Sequence, residues 1–434
     1  LVQHAHYKRH KEPVSSSELQ SQIQAAIGEA LFNGPEIEVH SRIAFHDDCL
    51  YLDLGRSDGK AVEIRSDGWD VIQDLPVRFV RGTNQLELPL PRRTKSSSKG
   101  IVELRNCINA GSEEDWILLV SWLMGTLLPS GGYPILVIQG EQDSGKSSTT
   151  RTLRSVIDPT TEGIRRMPDG AKNMMIAAQN NHILAFDNLS GLSTKMSDIL
   201  CTLAMGVGYA SRELYTDGSE FIMEARRPLI LNGIDEIARR PDLLSRSIVI
   251  HLPRLTGRKT EIELKEEFES VLPRVLGGFL DAASVGLSRL DGISSDGLPR
   301  MADFAKWIIA CEPELPWANG AFLNAFKANR LKAEAQQLSL EPLASVLLQF
   351  VGLLIPKKGI YFLGSPTDLL SELQVFDTST DFRNRAVPST PNWLMNHFKR
   401  LNPSLRKIHG LEVVQLDSKR RASARVVCVQ KVKL

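Results

Sequence analysis

Eight residues of the chain, Gly140-Glu-Gln-Asp-Ser-Gly145-Lys146-Ser147, fit the pattern GxxxxGK[ST] in full. They follow the apolar run Ile135-Leu-Val-Ile138 and precede a helical stretch over 148–156. That context is what the chemistry requires, since the loop must leave a strand and open a helix. The glycines let successive backbone N–H groups turn inward onto phosphate oxygens, and the helix N-terminus adds partial positive charge. Lys146 would then reach the β and γ phosphates of ATP, and Ser147 would ligate Mg²⁺. Gln142, Asp143, Ser144 and Ser148 complete the nucleotide-binding set with Gly140 and Gly145.

A phosphate loop of this kind needs an acid at the end of a neighbouring strand to hold the metal. His182-Ile-Leu-Ala-Phe-Asp187 supplies one forty residues on. Most such sites carry a second acid next, to polarise the attacking water, and here that residue is Asn188. The base therefore stays open between Asp187 acting through water and Glu141 inside the loop. Asn232, ending the apolar run Leu229-Ile-Leu, offers an amide that orients the lytic water or senses the γ-phosphate. Arg246, after Asp242-Leu-Leu-Ser, stands before another apolar run, where its charge would project into a neighbouring subunit's site. Arg226, Arg227, Arg239 and Arg240 compete for that role.

The elements that must position these groups are legible as short apolar runs at 134–139, 182–186, 228–231 and 247–252, separated by helical stretches. Such alternation predicts a largely parallel sheet covered by helices, an α/β core over 131–290. Upstream, residues 1–13 read as a polar tail. A helix over 18–32 is capped by Ser16 and Ser17. Runs at 43–45, 50–54, 61–64 and 77–80 form a strand meander, giving a small mixed N-terminal domain over 1–95. The Pro-, Arg- and Ser-rich stretch ending at Gly100 reads as a linker. Residues 101–130 carry two helical segments, 102–110 and 113–128, the second apolar around most of its circumference and hence buried. A helical region spans 291–360.

Net charge is +1 over 434 residues, with 42% hydrophobic and 24% charged residues. This composition excludes a mainly disordered chain. No uninterrupted apolar run reaches the roughly 18 residues of a membrane span, so no membrane partner is expected. Five widely spaced cysteines without a CxxC pair exclude a zinc ribbon and a disulfide framework, and place the chain in a reducing, cytoplasmic compartment. The chain begins on Leu1, which reads as a piece of a longer polypeptide.

The even balance hides a local excess. Residues 383–434 hold twelve Lys and Arg against two acids, a net +10, which is an electrostatic footprint for a polyanion. The stretch orders as helix (368–373), helix (391–401), then a basic two-stranded hairpin. This is the sequence of a winged helix over 361–434. Its second helix exposes Asn392, Asn396, Lys399 and Arg400 toward DNA, with Trp393, Leu394 and Phe398 facing inward. The wing brings Lys419, Arg420 and Arg421 to phosphates.

The order of phosphate loop, strand-end Asp187, a hairpin-like stretch, strand-end Asn232 and Leu-Leu-Ser-Arg246 resembles the AAA+ ATPase core. Its close spacing resembles superfamily-three helicases and the helicase modules of phage and mobile-element primase-helicases. Carried over, the resemblance implies that Lys146, Ser147 and Asp187 hold Mg-ATP, that Asn232 is sensor 1 and that Arg246 is a finger supplied in trans. It also implies a homo-oligomeric ring, usually a hexamer, translocating on single-stranded DNA, with a primase-polymerase domain upstream. Residues 209–215 and 220–224 around the turn 216–219 would be the pore hairpin. Its tip is acidic, so Arg212 lower down, or Arg165 and Arg166, would grip the strand. The expected function is ATP-dependent helicase in replication of a mobile element. An ATP-controlled DNA-binding switch without unwinding is the alternative.

Overall fold

A computed structural model describes residues 2–206, 209–212, 220–223, 225–234, 237–238, 240–257, 259–356, 359–377, 386–417 and 425–432. Its centre is a four-stranded parallel sheet built from Ile135–Gln139, Leu184–Leu189, Leu229–Gly233 and Ser247–His251. In space the fourth strand lies beside the first, then come the third and the second. Arg165 adds a single parallel bridge outside the second strand. The first and third strands are buried along their whole length, which is why they read as continuous apolar runs rather than alternating ones.

The first helix of this core, Lys146–Ile157, leaves the first strand through the glycine loop. The helix Glu113–Gly125 is buried from Trp116 through Gly125, as its apolar circumference implied. The long helix Glu261–Arg289 packs across the core, and most of its apolar window lies inside the fold. The fourth strand is an edge, and one side chain pairs with the backbone of its middle residue. Val249 N donates to Asn329 Oδ1 at 3.1 Å and Asn329 Nδ2 donates to Val249 O at 2.6 Å, from the helix Ala321–Leu340. This amide clamp occupies the pairing groups at the centre of an edge strand.

The N-terminal unit is an antiparallel meander of Ile43–His46, Cys49–Asp53, Ala61–Arg65 and Gly68–Ile72. The run at 77–80 is not its last strand. It forms a two-residue parallel pair, Arg78–Phe79 with Val39–His40. Residues Val2–His10 are helical rather than a tail, and the next helix, Ser16–Asn33, is capped one residue earlier than expected, by Ser15. The stretch expected to be a linker is packed. Arg92 N donates to Pro273 O at 2.8 Å, and Ser97–Glu103 is a helix, so the helix expected over 102–110 lies several residues earlier.

Arg42 joins this unit to the core. It is fully buried, with φ at 65°, and its Nε donates to Asp158 Oδ1 at 3.1 Å. The other Asp158 oxygen accepts from the backbone N–H groups of His182 (3.0 Å) and Ile183 (2.9 Å), just before the second strand. Asp158 follows the helix Lys146–Ile157, so one carboxylate ties the end of that helix to the start of the strand carrying Asp187. Burial lowers the Arg42 pKa from its usual value, opposed by Asp158, and Asp158 sits below the usual carboxylate range despite its own burial because Arg42 and Arg154 flank it.

The C-terminal unit begins earlier than residue 361. Its apolar cluster starts at Leu338 and includes Leu343, Leu347 and Phe350 of the helix Pro342–Gly352. Then follow a strand, Ile360–Gly364, two helices, Pro366–Val375 and Pro391–His409, and two strands, Leu411–Asp417 and Arg425–Lys431. The last strand sits in the middle of an antiparallel three-stranded sheet. None of the five cysteines is disulfide-bonded.

Candidate functional site

The glycine loop lies at the carboxyl edge of the sheet. Gly140 has φ at 156°, and a Cβ there would lie 2.7 Å from Ser144 Oγ and 2.8 Å from Leu252 O. Only glycine tolerates both conditions. Gly145, at φ 75°, is the N-cap of the helix that begins with Lys146. Ser144 Oγ donates to Glu141 O at 2.9 Å, closing the loop on itself. Asn109, which no sequence pattern marks, braces it from outside. Its Nδ2 donates to Ser144 O (2.9 Å) and to Pro253 O (2.7 Å), joining the loop to the segment after the fourth strand.

Lys146 folds back over this loop. Its Nζ donates to Gly140 O at 3.0 Å and Glu141 O at 2.7 Å, and it is within 3.4 Å of Ser144 Oγ. Burial lowers its pKa from the usual lysine value, with Asp187 and Asp143 opposing. Ser147 Oγ donates to Asp187 Oδ2 at 2.9 Å, so the hydroxyl and the carboxylate singled out forty residues apart meet directly. Gln142 and Asp143 are exposed on the outer turn of the loop, Asp143 with φ at 64°, and Ser148 lies in the first helical turn.

The backbone at Asp187 is irregular in a way that aims it. Leu231 pairs with Phe186 and Gly233 with Leu189, so two residues, Asp187 and Asn188, oppose the single Asn232. This is a β-bulge, which bends its strand and re-aims side chains. Asn188 takes φ at 58°. Its N–H is shared between Asp187 Oδ1 at 2.8 Å and Asn232 Oδ1 at 3.3 Å. Asn232 is fully buried, and its Nδ2 donates to Thr150 Oγ1 at 3.3 Å, on the helix after the loop. Asp187 N donates to Arg165 O at 3.0 Å. Asn188, Asn232, Ser147 and Asp187 thus form one connected cluster. Thr150 is a member that the sequence did not reveal, because its role comes from a long-range hydrogen bond, and Arg165, expected to grip the DNA strand, joins instead through its backbone carbonyl. Arg165 turns its side chain to Glu162 at 3.0 Å.

Arg246 is not in this cluster. Its backbone carbonyl accepts from Ile135 N at 2.9 Å, at the amino end of the first strand, whereas Gly140 leaves the carboxyl end. Five extended residues separate the two levels, about 17 Å. Arg246 is tied to Asp242 by a side-chain ion pair and a 3.0 Å bond to its carbonyl. Its Nε is buried with no hydrogen-bond partner among the described residues. Arg300 shares Asp242 at 3.5 Å and donates to Ser245 Oγ at 2.8 Å. The competing arginines are engaged elsewhere. Arg226 lies over the Tyr133 ring at 5.1 Å, Arg227 donates to Ala178 O at 2.7 Å, and Arg240 pairs with Asp198. Arg239 lies outside the described residues.

A cleft of about 840 Å³ runs along the outer face of the helix Lys146–Ile157, past Ser148 and Arg151, between that helix, the long helix at Leu264 and Phe268, and the N-terminal unit at Leu88. The hairpin expected before the third strand is present as Tyr209–Arg212 paired antiparallel with Glu220–Met223. Arg212 stands opposite Glu220, and the turn at 216–219 lies outside the described residues.

On the helix Pro391–His409, Asn392, Asn396, Lys399 and Arg400 are exposed, as expected. Trp393 is not inward. It is 59% exposed, because the buried stripe runs through Leu394, Phe398, Leu401 and Leu405, one residue out of phase with it. Lys419, Arg420 and Arg421 lie outside the described residues.

Parallel strands, covering helices and a glycine-rich strand-to-helix loop make this an α/β protein compatible with a P-loop core. The chain belongs to the actinomycete integrative conjugative element replication proteins, whose family model matches residues 101–329, more than half of its length. The AICE RepA C-terminal domain matches residues 343–433. It is thus a replication protein of a mobile element. Among solved structures, the apo C-terminal region of NrS-1 is similar at 11% identity and TM-score 0.34, over 86% of this chain and 94% of that one. A second structure of the same region gives 12% identity and TM-score 0.34, over 90% and 96%. A ligand-bound JCV helicase is similar at 12% identity and TM-score 0.26, over 55% and 65%. No curated protein matches the chain.

Proposed function

We propose that this chain is an ATP-dependent DNA helicase of the superfamily-three AAA+ type, a ring-forming translocase that serves replication of its mobile element. The observation that carries the reading is the 2.9 Å contact between Ser147 Oγ and Asp187 Oδ2 beneath the glycine loop. A hydroxyl and one carboxylate are hard oxygen donors, the set that suits Mg²⁺ when phosphate oxygens and water complete the shell. No group of three or more His, Cys, Asp or Glu side chains converges among the described residues, so a bound metal would depend on those phosphates. The ion, when bound, neutralises charge on the β and γ phosphates.

This chain's own groups do the rest. Lys146 exchanges two carbonyl partners for phosphate oxygens as ATP enters. Backbone N–H groups of the loop, 143–148, receive the remaining phosphate charge. The cleft of about 840 Å³ that starts at Ser148 and Arg151 would have room for base and ribose. Asn232, fixed by Thr150 and by the bulge, holds the water-facing side of the γ-phosphate. Arg246 reaches the γ-phosphate of the adjacent protomer after releasing Asp242. The C-terminal unit has the winged-helix order of helix, strand, helix, helix and hairpin. It binds DNA through Asn392, Asn396, Lys399 and Arg400, and through Lys419, Arg420 and Arg421. Lys146→Ala is expected to abolish both ATP turnover and strand displacement on a forked duplex. Undiminished turnover in that variant would remove the nucleotide site from where it is placed here.

One observation favours a second reading. The position after Asp187 is an amide in a bulge, so no acid follows Asp187 in the strand to polarise the water, which suits slow hydrolysis in an ATP-controlled DNA-binding switch. Strand displacement separates the two: ATP consumed with forks left intact gives the switch.

A further inference from the structure

We propose that Trp393 is a stacking platform for an unpaired base, so that the C-terminal unit contacts single-stranded DNA as well as any duplex. This rests on the reading of the unit as DNA-binding and specifies what it touches. The chain has six tryptophans. Trp69, Trp116, Trp122 and Trp307 are buried, and Trp317 is half-buried and donates to Glu312 Oε1 at 3.2 Å. Trp393 alone is exposed, at 59%. Its ring meets His397 edge-on at 6.2 Å, one helical turn on, which leaves the indole open to solvent.

The surroundings decide what would cover it. Asn392, Asn396, Lys399 and Arg400 are exposed on the same helix. Glu341 lies 4.0 Å from His397 Nε2. The helix lies in a segment of net charge +10. An apolar protein partner would leave those cations desolvated, whereas a nucleic acid matches both features: phosphates for the cations and a base for the ring. Groove edges of a duplex present hydrogen-bonding groups, and paired bases hide their faces in the stack. An indole gains most from a base whose face is free, and it does so with little regard to sequence. Thr390, which caps the helix by accepting from Trp393 N at 3.4 Å, fixes the backbone at the start of this surface.

The test uses the intact chain and its intrinsic fluorescence, with three probes: oligo(dT) of about 12 nucleotides, a duplex of equal length, and an abasic strand of the same phosphate count. Oligo(dT) is expected to quench the emission of the wild type but not of Trp393→Phe, while the abasic strand leaves it unchanged. Trp393→Ala is expected to weaken oligo(dT) binding about tenfold by anisotropy, the size of one base stacked on an aromatic ring, and to leave duplex affinity within about twofold. Binding of oligo(dT) with silent tryptophan emission overturns the proposal and leaves the helicase reading intact. So does equal quenching by the abasic strand, or an emission change that depends on protein concentration without DNA, which would place a second copy over the ring. Failure of all three probes to bind overturns the proposal and the DNA-binding reading together.

Discussion

At residue scale, the site turns on Asn188. The bulge needs one residue on this strand with a positive φ, and Asn188 supplies it at 58°. Asparagine and glycine enter that region at low cost, whereas a β-branched residue pays steric strain there. Asn188→Gly is therefore expected to keep ATP turnover within a few-fold of wild type, and Asn188→Val to lose most of it. The valine strain, about 1–2 kcal/mol, would pull Asp187 away from Ser147 before it unfolded the sheet. Turnover as a function of Mg²⁺ concentration is the measurement. A valine variant with the wild-type Mg²⁺ dependence would mean that the bulge does not aim the carboxylate. If instead Asn188→Asp raises turnover, the missing second acid limits hydrolysis.

At element scale, the helix Lys146–Ile157 and the strand Leu184–Leu189 are held in register from behind by buried polar groups, and acid is expected to loosen that hold. His182 is fully desolvated, which drops its pKa to about 4, and its Nε2 lies 3.0 Å from the Thr126 carbonyl, so the neutral ring carries its proton there. The unfolded chain protonates near 6.5. Between those values the unfolded state binds a proton that the native state refuses, so stability falls as pH drops from about 6.5 to about 4 and this group costs nothing further below that. The full loss is on the order of 3 kcal/mol, about 2 of them by pH 5. His182→Gln keeps an N–H donor for Thr126 and cannot titrate. Urea denaturation at pH 7 and pH 5 is expected to show a smaller loss in the variant, and equal losses would assign the acid sensitivity elsewhere. These elements also mark what a sequence can convey. The four core strands were legible to within two or three residues because burial on both faces makes each a continuous apolar run, and the loop was legible because its chemistry fixes residue types at fixed spacing. The bulge was not, since one extra residue leaves no trace in composition. The helix Ser97–Glu103 was hidden by a Ser- and Lys-rich composition that packing overrode. The strand Ile360–Gly364 was too short to separate from its surroundings, and Asn109 and Arg300 act only through partners distant in sequence.

At the scale of the whole molecule, the direction of the sheet forces the question of assembly. Parallel strands put the glycine loop at one end of the sheet and Arg246 at the other, about 17 Å apart by strand rise, so Arg246 cannot serve the loop of its own chain. Its side chain is only 17% exposed, yet its Nε has no hydrogen-bond partner among the described residues and Asp242 holds the outer end. An arginine built only for stability would be expected to use its donors. Released from Asp242, the outer end of the guanidinium would be free to meet a neighbour's γ-phosphate at a junction between copies. Arg246→Ala is thus expected to bind ATP nearly as wild type does and to lose turnover by 10³-fold or more, the effect of removing such a finger. Lys146→Ala loses its own site but keeps an intact Arg246. Mixed in equal amounts, the two inactive variants form junctions in which an unaltered loop faces an unaltered arginine. With random neighbours, that is about a quarter of them, so turnover should recover to at most that fraction of wild type. Recovery should vanish on dilution, as association is lost. Wild-type turnover that stays constant per chain down to concentrations where sedimentation shows only monomers would refute the shared junction, and with it any motor built on this sheet.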